Sequence, residues 1–103
     1  MTSQRAQAAI VSLLFEDDFG LWEVRGECEQ NRVSFDDMVS MAMELERLGV
    51  IRVYGRTPDG SEEMLPETFS LSNNDVWKWP GEASLFYWMG LTSLAYEWLI
   101  SDS

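Results

Sequence analysis

The sequence contains no histidine, a single cysteine, and only seven basic residues among 103. Each shortage removes a class of chemistry. Without histidine there is no Ser-His-Asp triad, no Cys-His pair and none of the usual zinc ligand sets. The lone Cys28 excludes an intrachain disulfide, so the reducing cytoplasm is the expected compartment. No P-loop, no Gly-x-Gly-x-x-Gly and no EF-hand spacing occurs. The paired carboxylates Asp17-Asp18, Asp36-Asp37 and Glu62-Glu63 read as solvated runs and not as acid/base pairs. No catalytic residue, metal ligand or cofactor is therefore expected, and the chain does not read as an enzyme.

Two further absences concern the membrane. The first residues, Met1 to Ala6, lack the basic start and apolar run of a signal peptide. The most apolar stretch, Ala83 to Ile100, is interrupted by Ser84, Gly90, Thr92, Ser93 and Glu97 and has no basic flank on its C-terminal side. It reads as a buried helix and not as a membrane span.

Acid and aromatic residues are what the chain has in quantity. Eighteen acids against seven bases give a net charge of −11. Residues 57–103 hold a single base, Lys78, against eight acids. Such a surface repels phosphate backbones and anionic membranes and attracts basic partners. Acidity of this kind also keeps a Trp-rich domain in solution. Apolar residues reach 46%, with five Trp and five Phe, so one globular domain over residues 1–103 is expected.

Along the chain, Ala6, Ala9, Ile10, Leu13 and Leu14 form a helical stripe over residues 3–15. Leu21 to Gln30 reads as a short second helix with Leu21, Val24 and Cys28 on one face and Trp22 on its flank. Ser34 is an N-cap candidate with Asp37 at the third helical position, so a third helix runs to Leu48 and stops at Gly49. Its buried residues are expected to be Met38, Met41, Ala42, Leu45 and Leu48. A β-rich run, Val50 to Tyr54, then meets the turn Thr57-Pro58-Asp59-Gly60. The return strand starts at Glu63 or only after Pro66, which cannot donate to a ladder. Ser72 to Asp75 reads as a loop. Trp77-Lys78-Trp79-Pro80-Gly81 is either a ligand-stacking shelf or a latch holding the final helix on the sheet. That last helix is expected from Glu82 or Ala83, and it is apolar nearly all round.

The order of helix, helix, helix, hairpin, helix resembles the winged helix-turn-helix superfamily. The likeness is carried by Ser34 to Leu71 and its junction Leu45-Glu46-Arg47-Leu48-Gly49-Val50-Ile51, and it covers residues 6–71. It implies an α+β, winged-helix-like fold: three N-terminal helices, a two-stranded β-hairpin wing and a C-terminal apolar helix. Many such domains read DNA through helix three. Here that helix carries Asp36, Asp37, Glu44 and Glu46 against Arg47, and the wing sets Asp59, Glu62 and Glu63 beside Arg52 and Arg56. Each acid near a phosphate adds repulsion, so DNA binding by this chain alone is not expected.

A winged helix without DNA chemistry implies a protein-docking module with a regulatory or adaptor role. Its candidate partner-binding residues are the aromatic Phe86, Tyr87, Trp88 and Trp98 and the acidic Asp17, Asp18, Glu62 and Glu63. Homodimerisation through the last helix and a basic protein partner are the expected contacts. The alternatives are an acidic inhibitor (an immunity protein or DNA mimic) and a winged-helix transcription regulator.

Overall fold

The computed structural model describes residues 4–82 and 84–101, the last four as backbone only. The fold is α+β, with four α-helices and a four-stranded antiparallel sheet. Helix α1 (Gln4–Leu14) buries Ala6, Ala9, Ile10, Val11 and Leu14. A two-residue strand β1 (Phe19–Gly20) leads directly into α2 (Leu21–Gln30), whose Leu21, Val24 and Cys28 face inward. Arg32 makes the following turn at φ 61, and Asn31 steadies it by donating to the Glu27 carbonyl (2.8 Å).

Helix α3 (Phe35–Arg47) starts as its residues dictate: the Ser34 hydroxyl accepts the Asp37 N–H at 3.1 Å. It ends in a Schellman turn. Gly49 takes φ 77, and the Val50 N–H reaches back to the Leu45 carbonyl (2.9 Å) while the Gly49 N–H bonds Glu46 (3.0 Å). That turn corrects one expectation. Leu48 is 40% exposed, because the chain swings away at Gly49 and Val50, fully buried, fills the core position instead.

Strand β2 (Ile51–Arg56) pairs briefly with β3 (Glu62–Glu63) across the Pro58-Asp59-Gly60 turn. The Thr57 hydroxyl bonds the Asp59 carboxylate, which also accepts the Ser61 N–H (2.9 Å). The main partner of β2 is a different segment, β4 (Phe86–Leu91), over six residue pairs from Ile51↔Leu91 to Arg56↔Phe86. Strand β4 also pairs with β1, so the order is β1-β4-β2-β3.

The long C-terminal helix expected from Glu82 or Ala83 is therefore corrected, with Ala83 itself outside the described residues. Only α4 (Ser93–Ser101) is helical. An all-round apolar helix would leave most of its surface uncovered, whereas a central strand alternates its side chains onto two faces that are both covered. Tyr87, Met89 and Leu91 go to the helical core, and Phe86, Trp88 and Gly90 to the far side of the sheet. Thr92 closes the strand, its N–H on the Val50 carbonyl (3.0 Å) and its hydroxyl on that of Gly49.

The expected loop at 72–75 ends in a 3₁₀ turn, Asn74–Trp77. Trp77 is fully buried, donates Nε1–H to the Leu71 carbonyl (2.7 Å) and meets Phe35 edge-on at 6.4 Å. The latch expected here thus grips the start of α3 and not the final helix. Trp79 stays 64% exposed.

Candidate functional site

Strand alternation builds a second surface on the side of the sheet away from the helices. Arg52, Tyr54 and Arg56 of β2 lie beside Gly90, Trp88 and Phe86 of β4 on this face. Two glycines make room for what covers it. A Cβ on Gly20 would run into the Trp22 ring, and one on Gly90 into the Asp18 carboxylate. Trp22 is the hub of the aromatic half, edge-on to Trp79 (5.1 Å), Trp88 (5.8 Å) and Phe86 (5.9 Å).

The polar half centres on Tyr54. Its hydroxyl donates to Asp18 at 2.5 Å and accepts from the Arg56 guanidinium at 3.3 Å. Arg52 lies 4.2 Å above the same ring and is held by Glu62 (2.7 Å). Arg56 sits between two rings, 5.4 Å from the Tyr54 centroid and 4.9 Å from that of Trp88. No carboxylate among the described residues pairs with it. The Arg56 Nε and the Trp88 Nε1 are buried donors with no acceptor among the described residues.

Burial, and after it the bond to Asp18 and that carboxylate's charge, push the Tyr54 phenol up to about 12; the two arginines pull weakly the other way. Ultraviolet titration is expected to show a late step for Tyr54. In Asp18→Asn that step moves down but stays above the ordinary tyrosine value, because burial remains. An unchanged late step would mean that Asp18 has no hold on Tyr54.

Four of the sequence-derived residues meet on this face: Asp18, Phe86, Trp88 and, through Arg52, Glu62. The rest do not. Tyr87 points to the opposite face against Phe69 (4.9 Å). Asp17 is exposed in the turn after α1, bonding the Asp18 N–H (2.8 Å), and Glu63 is exposed opposite Gly55. The side chain of Trp98 lies outside the described residues. Sequence reasoning did not assemble Trp22, Tyr54 and Trp79 with the arginines. The signal available was the period-two alternation Arg52-Tyr54-Arg56.

Other large apolar side chains are exposed just after α1, just after α3 and on α4. Phe15 and Tyr96 meet edge-on at 5.8 Å, and Leu48 and Leu94 are similarly exposed. Cys28 is buried, and burial first, then Glu27 and Glu29, push its thiol up to about 11, so it is protonated at neutral pH. Among the described residues no cluster of three or more His, Cys, Asp or Glu is placed to hold a metal ion, and no helix is long and apolar enough to cross a membrane. Comparison with protein-family models, curated proteins and solved structures finds no match.

Proposed function

We propose that this chain is an acidic, non-enzymatic docking module of winged-helix-like build that acts by contact with a protein partner in a regulatory or adaptor role. The observation that carries the reading is the outer sheet face: exposed Trp79, half-buried Trp22, Phe86 and Trp88, and an Arg56 without an acid partner. Aromatic and arginine side chains of this kind dominate binding energy at protein interfaces. The winged-helix part of the reading draws on the element order α1-β1-α2-α3-β2-β3-β4, in which β4 returns between β1 and β2.

Direct DNA reading is disfavoured by charge and by access. The exposed side of α3 presents Asp36, Asp37 and Glu46, and Arg47 is tied to Glu44. A groove of about 480 Å³ separates Met43, Glu46 and Arg47 from residues 65–71, which run alongside that half of the helix. A phosphate backbone would meet carboxylates there. A second copy is proposed to seat on Phe15, Leu48, Leu94 and Tyr96. An acidic inhibitor of a nucleic-acid-binding protein remains the second reading, supported by the acids on α3.

Affinity capture with the wild-type chain and with the double variant Trp79→Ala/Arg56→Ala tests the docking reading. The expected result is a stoichiometric protein partner that the variant retains at least tenfold more weakly. Retention of random duplex DNA at low salt would overturn it, as would equal capture by the variant. For the self-contact, Tyr96→Glu is expected to turn a dimer into a monomer in sedimentation analysis.

A further inference from the structure

The edge of the sheet next to this face is incomplete. The Thr92 N–H bonds the Val50 carbonyl at 3.0 Å, and the β2–β4 register runs on from there as Ile51↔Leu91, Arg52↔Gly90 and Val53↔Met89. Antiparallel pairing alternates bonded and non-bonded pairs. Arg52, Tyr54 and Arg56 therefore spend their main-chain groups on β4, while Ile51, Val53 and Gly55 direct theirs to the opposite edge. The turn agrees, since the Thr57 N–H bonds the Ser61 carbonyl (2.9 Å) and Gly55 pairs with Glu63.

Beyond Gly55 the ladder stops. Continued pairing would bring Leu65 opposite Val53, but β3 ends at Glu63. The chain instead folds into a turn closed by the Phe69 N–H on the Pro66 carbonyl (2.9 Å). Among the described residues no main-chain bond from outside the sheet reaches Val53. What remains is a groove of about 460 Å³ lined by Val53, Tyr54, Glu62, Glu63, Met64 and Leu65. Met64 is 91% exposed on its rim.

We infer that this edge of β2 takes an extended, lysine- or arginine-bearing segment of a partner protein as an added strand. The inference rests on the docking reading above and names the chemistry of its partner. Open strand edges are templates for main-chain pairing. Two observations select the occupant. Glu62, held by Arg52, and Glu63 stand at the end of the groove, and the chain carries −11 overall, so basic side chains are attracted. Leu65 and the exposed Met64 supply apolar contacts for residues of the added strand. Strand alternation then sorts the segment into basic and apolar positions.

The test uses the full isotope-labelled chain and the peptide acetyl-Val-Lys-Val-Arg-Val-Lys-amide, followed by amide NMR. The expected result is at least tenfold slower exchange at the Val53 amide, with shifts at Val53, Glu63 and Leu65. A peptide N-methylated at alternate residues should lose that protection, and Glu63→Gln should weaken binding several-fold. Absence of a Val53 effect at millimolar peptide overturns the inference. So does equal binding of the N-methylated peptide, or binding confined to the acids of α3, and both of these leave the docking reading standing. Protection of Val53 that rises with protein concentration alone would make the occupant a second copy and also overturn the inference. The docking reading fails separately, through the capture experiment with Trp79→Ala/Arg56→Ala.

Discussion

Replacing Trp77 with alanine is expected to lower the unfolding free energy by about 3–5 kcal/mol, a large share of the roughly 5–15 kcal/mol typical of a domain. Trp77 heads the largest fully buried side chains, and its indole N–H is spent on the Leu71 carbonyl at 2.7 Å. Truncation therefore opens a cavity beside Phe35 and leaves a carbonyl without its donor. Trp77→Phe separates the two effects. It keeps most of the apolar volume and loses the bond, so about 1–3 kcal/mol is expected. Urea denaturation followed by circular dichroism gives both values. A cost below about 1 kcal/mol for Trp77→Ala would mean that the segment 71–77 is not part of the core.

The consequence reaches the site. Residues 64–85 form the excursion between β3 and β4, and Trp77 is its anchor on α3. Trp79, two residues on, meets Trp22 on the outer face. Loosening the anchor should therefore also disturb the aromatic hub, although Trp77 itself does not face it.

The three N-terminal helices could be read from local signals because those signals are complete within a few residues. The Ser34 cap, the Met38-Met41-Ala42-Leu45 stripe and Gly49 each specify their own neighbourhood. The strand β4 could not be read that way. Phe86 to Leu91 is apolar apart from Gly90 and has no charged position, so it shows neither a period of two nor one of 3.6. Its state is decided by β1 and β2, which lie 66 and 30 or more residues earlier and leave a strand-wide gap between them. Once β4 is a strand, Phe86 and Trp88 part from Tyr87, and the aromatic residues read as one surface become two. Asp18 likewise looks like one of three solvated acids in sequence, and only the sheet brings Tyr54 to it.

Gly90→Ala is expected to destabilise the chain by about 2 kcal/mol, against the general trend for this substitution. Alanine in a strand ordinarily gains from the reduced freedom of the unfolded chain. At Gly90 the added Cβ would occupy the space of the Asp18 carboxylate. Asp18 has a short side chain and can only rotate away, which breaks its bond to Tyr54. A hydrogen bond to a charged group contributes about 1.5–3 kcal/mol, and that is what sets the sign. Gly26 is the control, lying within α2 with nothing within 4 Å of its Cβ position. Gly26→Ala should stabilise by about 0.5–1 kcal/mol. The pH dependence supplies an independent reading. The Tyr54 phenol is held up at about 12 in the folded chain against the ordinary 10.0, so its stabilising contribution is present below pH 10 and is lost as pH rises from 10 to 12. In Gly90→Ala the Asp18 part of that elevation disappears, the late tyrosine step moves toward its ordinary position, and the alkaline fall in stability becomes shallower. A Gly90→Ala chain as stable as Gly26→Ala, with an unshifted Tyr54, would show that Asp18 does not rest between the β4 backbone and the Tyr54 hydroxyl.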